Sequence, residues 1–120
     1  KGKIIEHDKE KFSSTIDVNG ALIITKKIND KVGSNHILKL FSKDISIATE
    51  APKNISINNI LETRISSIQI FKHKGSVDLN LKIGKQEIVS EITLKSYKNL
   101  KLKKGLKVYA LVKAISIVGK

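Results

Sequence analysis

The chain has 120 residues, 40% of them hydrophobic, and a formal net charge of +12. That bounds it to one domain, or two very small ones that share a core, with enough apolar content to exclude global disorder. It has no Cys, Met or Trp, which excludes a disulfide scaffold and a thiolate metal site. No apolar run approaches the length of a membrane span, and no signal peptide opens the chain. The positive charge suggests nucleic acid, but Arg64 is the only arginine, and the lysines scatter along the whole sequence. Base-specific contacts favour the arginine fork. The five aromatic residues do not cluster with lysines as stacking platforms for single strands do.

In chain order, residues 3–6 read as a short strand, followed by a turn through His7-Asp8-Lys9. Residues 12–18 and 21–25 flank Asn19-Gly20, the strongest short hairpin signal. A polar connection over residues 28–34 contains Gly33, and strands follow at residues 37–41 and 45–48. Ala51-Pro52-Lys53 holds the only proline and divides the chain into residues 1–52 and 53–120. Beyond it, residues 63–71 are β-rich and residues 72–75 form a turn. Val77, Leu79, Leu81 and Ile83 then alternate with polar residues at the period of a half-buried strand. Gly84-Lys85 turns the chain and residues 88–93 return it.

Thr93 is a candidate N-cap, with Ser96 three residues on. Leu94, Tyr97 and Leu100 follow helical spacing, and Lys103-Lys104-Gly105 reads as the helix stop. Val108-Tyr109-Ala110-Leu111-Val112 is a buried strand by composition, and Lys113 ends it. A helix start presents unpaired N–H groups to an anion. Two hydroxyls and a lysine would complete such a site. The plainer alternative is that Thr93 only caps and Lys113 only meets water.

The two halves resemble each other. Lys43-Asp44-Ile45-Ser46-Ile47-Ala48 lines up with Lys113-Ala114-Ile115-Ser116-Ile117-Val118, and Gly33 with Gly105. Each half has the inventory of a small, partly open five-stranded barrel of the OB type. The expected fold is therefore all-β: two OB-like halves, the second with one short helix. The first half has no hydroxyl matching the second at the Thr93–Ser96 turn, so it reads as a copy without an anion site.

Catalytic patterns are missing. There is no GxxxxGK[ST] phosphate loop, no nucleophile elbow and no carboxylate dyad. His7, His36 and His73 are far apart in sequence and read as surface residues rather than zinc ligands. The chain reads as a binding module and not an enzyme.

The second half resembles the Mop family of molybdate-binding modules, grouped with the TOBE domains. The carrying residues are Thr93-Leu94-Lys95-Ser96, then Leu100-Lys101-Leu102-Lys103-Lys104-Gly105, then Val108-Tyr109-Ala110-Leu111-Val112-Lys113-Ala114. The family pattern is similar: T-L-x-S, L-x-L-x-x-G and V-Y-A-L-I-K-A, over roughly residues 55–118. Gly2-Lys3-Ile4-Ile5-Glu6-His7-Asp8, Lys43-Asp44-Ile45-Ser46-Ile47-Ala48 and Ser56-Ile57-Asn58-Asn59-Ile60-Leu61 look like the C-terminal region of the ATP-binding subunits of molybdate importers. This implies an ATPase domain that the present chain, which opens on Lys1, does not include. The resemblance assigns oxyanion contacts to Ser56, Asn58, Thr93, Ser96, Lys113 and Ala114. Asn58 stands where the family has Arg, which removes a charge and a fork of donors.

What the resemblance implies is a cytoplasmic regulatory domain that binds molybdate or tungstate. It would form a homodimer through its Mop-type modules and meet the importer's permease at the inner face of the membrane. It would not insert into the bilayer or bind nucleic acid. A free-standing oxyanion storage protein and a basic OB module binding nucleic acid are the alternatives.

Overall fold

The computed structural model describes residues 2–113 and the backbone of residues 116–119. Its strands are β1 (Gly2–Asp8), β2 (Ser13–Val18), β3 (Ala21–Lys26), β4 (Asn35–Lys39), β5 (Ile45–Ala48), β6 (Asn59–Phe71), β7 (Ser76–Ile83), β8 (Gln86–Thr93), β9 (Lys107–Val112) and β10 (Ser116–Gly119). One helix, α1 (Leu94–Asn99), stands between β8 and β9, and 3-10 turns occupy Ser42–Asp44 and Lys72–Lys74. The strands form two five-stranded antiparallel sheets, ordered β10-β4-β1-β2-β3 and β5-β9-β6-β7-β8. The protein is all-β, with two OB-like halves and one short helix in the second.

The compact units do not divide at Pro52. One holds β1–β4 with β10, and the other holds β5–β9 with α1. Each half of the sequence lends its last strand to the other unit. β5 pairs with β9, Ile45 opposite Val112, and β10 pairs with β4, Ser116 opposite Lys39. The reason is in the ladders: each half's own sheet leaves an edge that the other half's last strand covers.

The repeat extends to single hydrogen bonds. β1–β2 in one unit and β6–β7 in the other bulge at the same place, between Ile4 and Glu6 and between Ile65 and Ser67. The amide of Gly33 donates to the carbonyl of Ile4 at 2.7 Å, and that of Gly105 to the carbonyl of Ile65 at 2.7 Å. Both glycines have positive φ, 96° and 89°, which a Cβ disfavours. Gly105 is therefore a strand-connection residue, not the helix stop the sequence suggests. The stop is Lys101, at φ 52°. Its amide donates to the Lys98 carbonyl at 3.2 Å, and the amide of Leu102 to the Tyr97 carbonyl at 3.4 Å. This is a Schellman closure, anchored by the burial of Leu102.

Asn19 and Gly20, both at positive φ, join β2 to β3 with Val18 opposite Ala21, the two-residue hairpin expected. β1 runs through His7 and Asp8, so the turn after it starts later than the sequence suggests; the Asp8 carboxylate accepts from the amides of Glu10 and Lys11 at 3.1 Å each. The second unit buries Val77, Leu79 and Leu81 on alternate positions of β7, together with Ile65 from β6. β9 also alternates: Val108, Ala110 and Val112 are buried while Tyr109 and Leu111 are half-buried.

Candidate functional site

The second unit contains an open cavity of about 450 Å³. Lys43, Ser46, Lys74, Ser76, Thr93 and Ser96 supply its polar wall, opposed by the carboxylate of Glu91. Its position follows from the strand ends. Ser76 opens β7 directly opposite Thr93, which closes β8. The amide of Leu94 donates to the Gly75 carbonyl at 2.8 Å, holding the start of α1 against that turn. The hydroxyl of buried Ser90 donates to the carbonyl of Ile45 at 2.5 Å. That bond ties β5 to β8, and brings the Ser42–Asp44 turn with Lys43 to the same rim.

Thr93 is the N-cap of α1, in extended conformation, and its Oγ1 accepts from the Ser96 amide at 3.0 Å. The same hydroxyl donates to Ser96 Oγ at 3.0 Å. The capping expectation holds, and the Ser96 amide is already engaged by it. What remains for an anion is the hydroxyl protons of Ser46, Ser76 and Ser96, and the two ammonium groups, the Thr93 proton being engaged by Ser96. Lys74 Nζ lies over the ring of Phe71, 5.4 Å from its centroid. A second, smaller space of about 240 Å³ lies against Lys43, Lys74, Ser76, Asp78 and Glu91.

The structure brings together two of the six residues expected in the site, Thr93 and Ser96. Ser56 and Asn58 are exposed in the irregular stretch before β6, and Lys113 is exposed just after β9. None of these three lines the cavity. Val112 pairs with Ile45 on one side and Asn59 on the other. Lys113 therefore leaves the sheet between the Ser42–Asp44 turn and Asn58. Ala114 lies outside the described residues. Lys43, Ser46, Lys74 and Ser76 were missed. The signal for Lys43 is the internal repeat, which places it where the second half has Lys113. Nothing in the local pattern marks Lys74 or Ser76.

The first unit is built differently at the corresponding turn. Lys26 ends β3 opposite Ser13, where Thr93 ends β8 opposite Ser76, and Asn29 follows Lys26 at the spacing at which Ser96 follows Thr93. There the polar groups satisfy one another. His7 Nε2–H donates to the Asp30 carbonyl at 2.7 Å, and Ser14 Oγ, 2.8 Å from His7 Nδ1, accepts from the Ile28 amide at 2.9 Å. A carbonyl only accepts, so Nε2 carries a proton. His36, 3% exposed, is paired through Nε2 with the Asp30 carboxylate at 3.2 Å. His36 is thus a core residue, contrary to the surface position its sequence context suggests. Among the described residues there is no cluster of His, Asp or Glu suited to a metal ion.

The model of the TOBE domain family matches residues 55–118, more than half of the chain. The chain belongs to the TOBE domain family. Over 93% of its length it is 26% identical to the molybdenum import ATP-binding protein ModC of Hahella chejuensis, of which it covers 31%. It is 29% identical to ModC 2 of Azotobacter vinelandii, over 98% of this chain and 33% of that one. ModC of Haemophilus ducreyi is 34% identical over 72% of this chain and 24% of its own length. The chain thus spans a quarter to a third of the curated relatives it matches. The solved structure of the cytoplasmic molybdate-binding protein ModG superposes with a TM-score of 0.79 at 16% identity, over 99% of this chain and 93% of that one, so the two share a fold. No helix among the described residues is long and apolar enough to cross a membrane.

Proposed function

We propose that this TOBE-family chain binds a tetrahedral oxyanion of the molybdate class at the Thr93–Ser96 cavity, and serves as the cytoplasmic regulatory domain of a molybdate importer's ATPase. The carrying observation is the cavity itself. Hydroxyls from three strand and helix ends and two lysines converge on one wall of the second unit. Such groups donate to an oxyanion with little reorganisation, and charge-assisted bonds are the stronger ones. The family membership and the likeness to ModC chains support the reading.

The reading includes a homodimer, in which the exposed Ser56, Asn58 and Lys113 supply a second group of donors to a paired copy. Occupancy would favour one arrangement of the pair, and so hold back the attached ATPase and permease when oxyanion is plentiful. In this group Asn58→Arg restores a charged fork and should tighten binding by about tenfold. The ModG likeness covers nearly all of that chain, which favours a second reading, a free-standing oxyanion store. Sedimentation of the chain with whatever naturally adjoins it separates sensor from store.

Calorimetry tests the shared core of both readings. Molybdate and tungstate should bind with saturable heat at physiological salt, and sulfate, a smaller tetrahedron, far more weakly. Equal weak heats for all three anions, abolished by salt, would mean only general attraction to the +12 charge.

A further inference from the structure

We infer that Asn19, at the tip of the β2–β3 hairpin, is a covalent modification site: its side-chain amide cyclises onto the Gly20 nitrogen with loss of ammonia, and the Asp17 carboxylate restrains that step in the folded chain. This goes beyond the oxyanion reading and does not depend on it.

Asn19 is the only asparagine of the chain followed by glycine. The next residue's nitrogen reaches an asparagine side chain most readily when that residue has no Cβ to obstruct it. Both residues are exposed, at φ of 51° and 95°, and nothing lies within 4 Å of where a Gly20 Cβ would stand. The turn is therefore open to water and hydroxide. The Gly20 nitrogen gives up its proton and bonds to Asn19 Cγ, the bond from Cγ to Nδ2 breaks, and Nδ2 leaves as ammonia. Water then opens the cyclic imide at either carbonyl, giving aspartate or isoaspartate. In the folded chain the Gly20 amide donates to Asp17 Oδ1 at 2.8 Å. That bond must break before the nitrogen turns on Asn19. The carboxylate also disfavours the negative charge that the nitrogen takes on as it loses its proton. The corresponding turn of the second unit, Gly84-Lys85 between Ile83 and Gln86, has no asparagine to cyclise. Modification at Asn19 puts a second carboxylate near Asp17. Isoaspartate also adds a main-chain atom to a two-residue turn that keeps Val18 opposite Ala21. β3 stands at the end of its sheet's strand order, so the loss of pairing falls on Ala21–Lys26 while β1 and β4 stay paired.

The test is ageing of the whole chain in mildly alkaline buffer, with mass-spectrometric peptide mapping of every asparagine over time. Conversion should accumulate at Asn19 ahead of Asn54, Asn58 and the other asparagines, and should run severalfold faster when the chain is unfolded in urea. Asp17→Ala should speed it severalfold in buffer. Asp17→Asn keeps a carbonyl acceptor and removes the charge, so it should speed conversion by less. A thermal melt of each variant checks that it folds, and the comparison among asparagines of the wild-type chain stands without them. Amide exchange of the aged chain should rise at residues 21–26 and stay unchanged at residues 76–93. Conversion at Asn19 no faster than at asparagines without a following glycine would overturn the modification site. Equal rates in the folded and unfolded chain, or folded Asp17 variants that convert no faster than wild type, would overturn the restraint by Asp17.

Discussion

Ser14 on β2 and Leu79 on β7 hold the same place in the two units, each fully buried. Around Leu79 the second unit assembles an apolar interior from Ile65, Val77, Leu81, Val108, Ala110 and Val112. Around Ser14 the first unit assembles a hydrogen-bonded network: Ile28 amide to Ser14, Ser14 to His7, His7 to Asp30, and Asp30 to His36. His36 itself stands where the second unit has Val108. The backbone is shared down to the bulge and the glycine amide that closes it, so strand order does not require either kind of interior. The turn and ladder geometry is common to both units, while the side chains differ. The first unit spends its polar groups on itself. The second, whose buried Thr63 and Ser90 hydroxyls each donate to a backbone carbonyl, leaves Thr93, Ser96 and the lysines facing an open cavity.

The comparison breaks most visibly at Leu79. Leu79→Ser puts the first unit's residue type into an interior with no network to receive it, and should cost about 3–5 kcal/mol through the lost apolar contact, the void and an unpaired hydroxyl. Equilibrium urea denaturation measures it. Ser14→Ala removes the bridge between the Ile28 amide and His7, leaving half-buried groups unpaired, and should cost about 1–2 kcal/mol by the same method. If it were neutral, the network would be incidental. Thr93→Ala removes the cap of α1 at about 0.5–2 kcal/mol, whereas Thr93→Ser keeps most of it. The corresponding Lys26→Ala caps nothing and should leave thermal stability almost unchanged.

The smallest effect has the opposite sign. Lys101 and Phe12 both sit at φ 52°, and Phe12 stands immediately before β2 as Gly75 stands before β7, the two carbonyls accepting the amides of Lys27 and Leu94. Lys101→Gly and Phe12→Gly should each raise stability by up to about 1 kcal/mol by relieving a left-handed conformation that side chains disfavour. A fall in melting temperature would show that these side chains hold their turns by contact.

Much of this was legible locally. Asn19-Gly20 fixed a hairpin, the alternation from Val77 to Ile83 fixed a strand, and Thr93 fixed the start of α1. The repeat of Lys43–Ala48 at Lys113 was also visible, and the structure gives it a meaning that the pattern alone lacks. Strand exchange is a long-range choice: Ile45 finds Val112, and no neighbour in sequence announces it. For that reason Lys43 was aligned with a site lysine yet not placed at the site. The helix stop misled because Lys101 adopts the left-handed conformation that Gly105, four residues later, advertises. His36 misled because a buried histidine needs a partner, and Asp30 is a partner only once the connection between β3 and β4 folds over it.

The proposed oxyanion site belongs to the second unit and not to its copy. Amide chemical shifts of the whole chain, followed while molybdate is added at physiological salt, test it most directly. The account predicts saturable changes concentrated at residues 43–47, 74–76 and 91–96, with residues 26–34 silent. Changes spread evenly over the lysine-rich surface, or centred on residues 26–34, would contradict it.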